Sequence, residues 1–399
     1  MSSTRHHGPL VANLLAQIAF GLLTMTICIP SMQEWGAIFG SSQASVQLTF
    51  SAYVVAYGAL QLLYGPLSDR LGRKPVLMAG LALAGIGSIA AAFSTDLPML
   101  IAARVVQGAG AAAGMVVGRA MVQDLFEGPE RTRVMAYVGM VMGLCPPIAT
   151  IVGGQLHVRF GWQANFVMLA VLAFGLMAAA WQGLPVRAPG ARAIRPHWLA
   201  SMASSYRRLF REPRFLLYVT VVSLTTATFY AFLAGAPLVL GSQGVGPENM
   251  GFYIMFVPIS YIVGNYLTSR MIHQSGERRI MRFGQLFTLS GICLMLGIAL
   301  AGVNTPLAFT MPLILLGIGH GFLQPPGLAG TVSLLPALAG SAAAVAGLMQ
   351  QLMGAVGAFA VGLFDHRGAV NLGFLMLSIA ACALMAQLVL HRDRQLVAV

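Results

Sequence analysis

The sequence predicts an all-α polytopic membrane protein with twelve transmembrane helices. Three observations support this: 57% of the 399 residues are hydrophobic, only 9% are charged, and the apolar residues form twelve runs, each close to the roughly 20 residues that a spanning helix needs. The runs are continuous rather than alternating, which favours helices over barrel strands. We number these spans 1 to 12 in chain order: 10–31, 46–67, 75–94, 98–122, 134–156, 164–184, 215–240, 250–269, 283–302, 306–330, 342–364 and 370–390.

The basic residues predict that both termini lie in the cytoplasm. In that orientation 19 of the 23 Lys and Arg residues fall on the cytoplasmic side, as the positive-inside rule requires. The net charge of +12 then belongs to loops that face anionic lipid headgroups, so we expect the bilayer, and no nucleic acid, as partner. The tryptophans at span ends, Trp35, Trp162 and Trp181, are expected to be interfacial anchors. The four cysteines show no metal spacing, and no cofactor is predicted.

The chain is predicted to contain two six-helix bundles, residues 1–184 and 214–399. A basic, proline-containing cytoplasmic linker, 185–213, separates them, and its stretch from Trp198 to Phe210 is compatible with an amphipathic surface helix. Two six-span halves are the pattern of a transporter built from repeats. The repeat is faint: Gly264 and Gly276-Glu277-Arg278-Arg279 correspond to Gly65 and Gly72-Arg73-Lys74, with Thr268 at the position of Asp69.

A polar segment between spans 2 and 3 carries four charges and the single lysine of the chain. We expect Gly65 to allow close helix approach and Gly72 to permit a tight turn. Asp69 is predicted just before span 3, where its carboxylate can accept backbone N–H groups at the helix start. The motif residues are Gly65, Asp69, Arg70, Gly72, Arg73 and Lys74.

Spans 4 and 5 carry two further motifs. Span 4 contains Arg104-Val-Val-Gln-Gly108-Ala-Gly, which places an arginine within the membrane. A guanidinium there must find a partner or extend to the outer headgroups, and both alternatives stay open. In span 5 two adjacent prolines predict a kink or a flexible point, and paired glycines predict close packing. The span 5 motif consists of Gly139, Gly143, Pro146, Pro147, Gly153 and Gly154.

These three motifs, in this order on twelve spans, resemble those of the major facilitator superfamily. The segments Arg119-Ala-Met-Val-Gln-Asp124, Gly161-Trp-Gln-Ala-Asn-Phe166 and Gly340-Ser341 resemble the bicyclomycin-resistance/CflA drug exporters. The resemblance implies the major facilitator fold, with two pseudo-symmetric bundles, in a monomer of the bacterial inner membrane. It implies a secondary-active exporter of drugs or amphipathic metabolites that works by proton antiport and alternating access.

The resemblance also assigns roles to residues. The polar loop is expected to latch the two halves on the cytoplasmic side through a charge relay of Asp69, Arg73 and Asp124. Arg104 is expected to take part in proton coupling or substrate binding.

Span 1 departs from the pattern of these exporters. They often carry an aspartate four residues before a proline, and here Thr26 precedes Pro30 instead. Neutral or anionic substrates are therefore favoured over lipophilic cations, and another group must carry the proton. The candidates are Glu34, Asp124 and His320, although His320 is equally compatible with a hydrogen-bonded packing role.

Polar side chains at membrane depth are expected to line a substrate cavity, because they avoid lipid. Tyr53, Tyr57 and Gln61 recur every four residues and so share one face of span 2. The predicted cavity residues are Gln17, Thr26, Tyr53, Tyr57, Gln61, Asn165, Tyr230, Asn265, Gln324, Gln350 and Gln351.

Alternative functions remain open at this level. Within transport, the substrate is a drug or an endogenous siderophore or metabolite. A non-transporting receptor or a membrane enzyme is a remote alternative, since the spans show no nucleophile–base pair, no paired ligands and no nucleotide-binding glycine loop. We therefore do not expect an enzyme.

Overall fold

The computed structural model is all-helical over the residues it describes, 7–185, 198–335, 338–364 and 368–396. Within these described ranges, twelve helical segments are long and apolar enough to cross a membrane, which confirms the predicted number of spans. The helices are His7–Thr26, Ile29–Ser31 (a 3₁₀ helix), Met32–Ile38, Gln43–Leu71, Arg73–Ala92, Leu97–Leu125, Gly128–Phe160, Gln163–Gly183, Trp198–Leu209, Pro213–Ser242, Pro247–Ile254, Phe256–Leu300, Pro306–Thr310, Leu313–Ser333, Ala339–Val361 and Ala369–Leu396.

The chain folds into two compact units. Unit 1 is Met1–Arg192 together with Pro247–Gly251, and unit 2 is Ala193–Gly246 together with Phe252–Val399. The helix Trp198–Leu209 lies where an amphipathic segment is predicted. Residues 186–197 of the predicted linker lie outside the described residues, so the boundaries at 184 and 213 stay a proposal.

Span 4 packs closely against spans 1, 2 and 3 within unit 1, because its glycines present no side chain to them. A methyl group on Gly108 would lie 2.5 Å from the carbonyl oxygen of Tyr53 in span 2, and one on Gly110 would lie 2.9 Å from Cα of Ala84 in span 3. Gly114 faces the backbone of span 1 in the same way. The glycines of the span 4 motif therefore allow backbone contact between neighbouring helices.

The predicted tight turn at Gly72 is confirmed and recurs in unit 2. Gly72 has φ 93° and ψ 150°, and Gly276 has φ 73° and ψ 157°. Residues that carry a side chain rarely adopt this backbone conformation, so glycine is required at both turns. The faint repeat in the sequence thus corresponds to the same backbone turn in each half.

Two expectations for the polar loop are wrong. A methyl group on Gly65 would meet only Val116, at 3.9 Å, which is ordinary contact, whereas its counterpart Gly264 lies against the backbone of Ile318. Asp69 is not at the start of span 3, because it lies in the last turn of the preceding helix, Gln43–Leu71. The N-cap of span 3 is Gly72, which makes no side-chain capping bond.

The helix of span 5, Gly128–Phe160, continues through both prolines. The hydroxyl of Thr150 donates to the carbonyls of Pro146 and Pro147 at 3.1 and 3.0 Å. The two ends of the motif differ in packing: Gly153 lies against the carbonyl group of Ile27 in span 1, whereas a methyl group on Gly139 would meet nothing within 4 Å. Of Gly153 and Gly139, it is therefore Gly153 that packs closely against a neighbouring helix.

Gly153→Ala and Gly139→Ala form a matched test of this packing. Overpacking costs about 1–3 kcal/mol, so Gly153→Ala should lower the melting temperature of the purified protein. Gly139→Ala should leave it unchanged or raise it, because alanine favours the helix. Equal melting temperatures in the two variants would contradict the close contact at Gly153.

Candidate functional site at the break in span 1

Span 1 is not one continuous helix. It runs from His7 to Thr26, turns through the 3₁₀ helix Ile29–Ser31 and resumes as Met32–Ile38. Pro30 has no N–H group, so the carbonyl of Thr26 loses its helical donor four residues later. The other carbonyls of the last turn also lack helical partners because the helix ends at Thr26, and inside a membrane they need other donors.

Arg104 supplies those donors from span 4. Its side chain is fully buried. Nη1 donates to the carbonyl of Thr24 at 2.9 Å, Nη2 to that of Met25 at 3.5 Å, and Nε to that of Thr49 in span 2 at 3.4 Å. The positive charge lies at the C-terminal, negative end of the helix His7–Thr26, where it is favourable.

The remaining contacts of Arg104 fix its orientation. Nη1 also donates to Oε1 of Gln107, whose Nε2 donates to the hydroxyl of Ser88 at 2.7 Å. The guanidinium carbon lies 4.2 Å from the centre of the Tyr53 ring, which is a cation–π distance. Extension of Arg104 to the outer headgroups is therefore wrong, and its donors are directed to the protein backbone.

A carboxylate–imidazole pair lies just beyond the break. Glu34, in the helix Met32–Ile38, places Oε2 3.0 Å from Nε2 of His157 in span 5. The His157 side chain is 8% exposed and that of Glu34 is 47% exposed. Nδ1 of His157 is buried and has no hydrogen-bond partner within the described residues. The pair joins an accessible acid to a buried base.

His157 is not among the residues that the sequence motifs predict. A signal was present: His157 follows Gly153 by four residues, one helical turn, and therefore lies on the same face of span 5. Gly153 contacts the break at Ile27, so that face is directed at the break.

Span 6 also contacts this region. Nδ2 of Asn165 donates to the hydroxyl of Ser31 at 3.1 Å. Trp35 and Trp162 are 0% and 5% exposed and pack edge to face at 5.8 Å, so their predicted role as interfacial anchors is wrong. Trp181, at 66% exposure, is compatible with that role. Spans 4, 5 and 6 thus all contribute polar side chains to the break.

The other polar residues predicted for unit 1 make contacts between or along helices. The hydroxyl of Thr26 donates to the carbonyl of Leu22 at 2.8 Å, that of Tyr53 to Gly21 at 2.7 Å, and Gln17 donates to Leu176 at 2.9 Å. Tyr57 stacks on Tyr53 with ring centres 5.8 Å apart, and Gln61 is partly exposed. Contact of these side chains with a substrate stays a prediction.

Unit 2 brings together four of the predicted residues. Nε2 of Gln324 donates to the hydroxyl of Thr226 at 2.9 Å, and that hydroxyl lies 3.2 Å from Oε1 of Gln350. The hydroxyl of Tyr230 donates to Gln351 at 3.0 Å. We call Thr226, Tyr230, Gln324, Gln350 and Gln351 the glutamine cluster. Its members are uncharged, and Thr226 is absent from the sequence-based list.

The two other predicted residues of unit 2 lie apart from these hydrogen bonds. Asn265 pairs with Tyr261, four residues earlier in the same helix. His320 is 4% exposed, and its Nε2 has no hydrogen-bond partner in the part of the chain that the structure describes. Its ring lies edge-on to Phe229, with centres 6.5 Å apart. The hydrogen-bonded packing role considered for His320 is therefore not seen at Nε2.

The polar loop brings the predicted relay residues into contact. Arg73 Nη1 lies 2.6 Å from Asp69 Oδ1, and Arg73 Nε lies 3.0 Å from Asp124 Oδ2. Lys74 Nζ donates to the carbonyls of Trp181 and Leu184 at 2.6 and 2.9 Å, at the end of span 6. All these contacts lie within unit 1, and the latch function stays a prediction. Asp124 is thus engaged by a cation.

Comparisons with known proteins agree with this architecture. A profile of the family described as Major Facilitator Superfamily matches residues 12–358. The chain is 30% identical to multidrug resistance protein D of Escherichia coli over 92% of each chain. It is 30% identical to a chloramphenicol resistance protein of Pseudomonas aeruginosa, over 78% of this chain and 74% of that one. It is 28% identical to a bicyclomycin resistance protein homolog of Haemophilus influenzae, over 85% and 86%.

Solved structures share the fold at low sequence identity. The peptide transporter POT in complex with alafosfalin superimposes with a TM-score of 0.77 at 16% identity, covering 97% of this chain and 94% of that one. A bacterial homolog of the lysosomal transporter Spinster gives 0.78 at 13% identity, over 99% and 98%.

Substitution of Arg104 tests its structural role. Arg104→Ala leaves the helix-end carbonyls of Thr24 and Met25 without this donor, and each buried unsatisfied group costs about 1–3 kcal/mol. The melting temperature in detergent should fall, and Arg104→Lys should recover only part of the loss, because one ammonium lacks the forked donors of arginine. Arg159→Ala, at an exposed position in span 5, is the control. A wild-type melting temperature in Arg104→Ala would contradict the assignment.

Proposed function

Because this chain belongs to the major facilitator superfamily, we propose that it exports drugs or other amphipathic small molecules by proton antiport and alternating access. Relatives named for resistance to several drugs support export, and the match to multidrug resistance protein D extends over 92% of each chain. We place it as a monomer in a bacterial inner membrane, with both termini in the cytoplasm and no enzymatic activity. The proposed proton coupling rests on one observation: the carboxylate–imidazole pair of Glu34 and His157 lies next to the break in span 1.

Three acidic side chains in unit 1 can be compared as proton carriers. Asp69 and Asp124 both form ion pairs with Arg73, at 2.6 and 3.0 Å. Glu34 binds no arginine or lysine in the described structure, but a histidine that is charged only when protonated. A proton taken up by this pair therefore breaks no ion pair to a permanent cation.

The position of the pair supports a link from proton to conformation. Glu34 belongs to the short helix after the break, whereas His157 belongs to span 5, one turn from the glycine that contacts Ile27. A change of charge on either group alters the attraction between the second part of span 1 and span 5. We propose that this change shifts the break between two arrangements, which alternating access requires.

The glutamine cluster supports binding of the uncharged polar groups of a substrate. It offers amide and hydroxyl groups on spans 7, 10 and 11, and Thr226, Gln324, Gln350 and Gln351 are only partly buried. Such groups orient a ligand without demanding a charge. His320 has no acidic partner in the described residues and is a weaker candidate for coupling than Glu34.

Transport in proteoliposomes tests this proposal. Uncharged chloramphenicol serves as the favoured probe and ethidium, a lipophilic cation, as the disfavoured one, with accumulation measured with and without a pH gradient. Glu34→Gln should reduce gradient-driven accumulation by about tenfold or more, while gradient-free counterflow continues, because the amide keeps a hydrogen bond to His157 but carries no proton. Glu248→Gln, another acid-to-amide change in unit 1, should behave as wild type.

Two outcomes would contradict the proposal. Gradient-driven accumulation in Glu34→Gln at the wild-type rate would exclude this pair as the coupling site. Failure of the wild-type protein to accumulate either probe under any gradient would argue against proton-driven export of drugs.

A further inference from the structure

Span 4 carries a second arginine whose surroundings differ from those of Arg104. Arg119 lies six residues before the end of the helix Leu97–Leu125, or about 9 Å along its axis at 1.5 Å per residue. Its Nη2 donates to the sulfur of Met142 in span 5 at 2.9 Å. Its Nε is buried and has no hydrogen-bond partner among the described residues.

Arg119 also lacks a counter-ion. Across the described ranges, no carboxylate lies within 4.0 Å of its guanidinium: Asp69 and Asp124 bind Arg73, and Glu34 binds His157. A thioether is a weak acceptor. Placing an arginine without an acidic partner inside a membrane span is energetically unfavourable. Ionisable residues at such positions mark ligand or ion pathways.

We propose that Arg119 binds an oxyanion, and that this oxyanion is a carboxylate or similar group of the transported molecule. The planar guanidinium offers paired N–H donors that match a carboxylate. Arg104 is excluded from this role because backbone carbonyls and Gln107 occupy its donors. The anion site stands on its own contacts, whereas the identity of the anion as substrate rests on the proposed export function.

Anionic lipid headgroups offer the same chemistry from a second source. In the predicted topology the side chain lies in the cytoplasmic leaflet, and a lipid phosphate there would fit the same donors. The experiment therefore has one arm for soluble carboxylates and one arm for lipid.

The soluble arm uses matched acids and uncharged partners: chloramphenicol succinate against chloramphenicol, salicylate against methyl salicylate, and 4-aminobenzoate against its methyl ester. Binding is measured by calorimetry on the purified full-length protein in phosphatidylcholine nanodiscs. At least one acid should bind about tenfold more tightly than its partner, the gain of a charge-assisted hydrogen bond. Arg119→Gln should abolish that preference, and Arg119→Lys should keep part of it.

The lipid arm compares nanodiscs with and without phosphatidylglycerol. If phosphatidylglycerol raises the melting temperature of the wild type but not of Arg119→Gln, and no acid is preferred, the site is an oxyanion site for lipid and the substrate assignment is overturned. If neither arm depends on Arg119, the site itself is overturned.

Folding of the variant is part of the test. Arg119→Gln removes a cation without a counter-ion, so it should melt no lower than wild type, in contrast to Arg104→Ala. A variant that fails to fold would show a structural role for Arg119 and overturn the proposal. Gradient-driven transport of chloramphenicol by the wild type distinguishes failure of the export function from failure of the anion site. If this transport is absent, export is contradicted, whereas the binding measurements still test the anion site.

Discussion

The structure of unit 1 depends on one interaction, the hydrogen bonds from Arg104 to the carbonyls at the end of the first helix of span 1. Pro30 ends that helix within the membrane, where backbone groups cannot form hydrogen bonds with water. Because a single guanidinium reaches Thr24, Met25 and Thr49, it joins spans 1, 2 and 4. The glycines of span 4 make this possible by letting the helix backbones approach closely.

The two arginines of span 4 show how position decides role. Arg104 donates to two carbonyls at the end of a helix, those of Thr24 and Met25, so its charge is compensated by the protein. Arg119 meets a methionine sulfur and no carboxylate in the described structure, so its charge is left for a ligand. The same residue type, fifteen positions apart on one helix, thus serves as a structural cap and as a proposed binding group.

Composition and local patterns predicted the twelve spans and the turn at Gly72, because these features depend on nearby residues alone. The sequence placed Arg104 in the membrane but not its partners, which lie 55 and 80 positions away. The close helix approach predicted at Gly65 is not observed, because a glycine in the sequence does not reveal what faces it in the fold. The spacing of His157 after Gly153 indicates only its face of span 5, and its partner Glu34 lies 123 positions away, beyond the reach of any local pattern.

Hydrogen–deuterium exchange at the break tests the central claim most directly. The claim is that the protonation state of Glu34 and His157 controls the structure around Pro30. In nanodiscs at pH 6 and pH 8, after correction for the intrinsic pH dependence of exchange, amides of residues 23–34 should differ in protection in the wild type. In Glu34→Gln the difference should be largely lost. An equal difference in both proteins, or none in the wild type, would contradict the account.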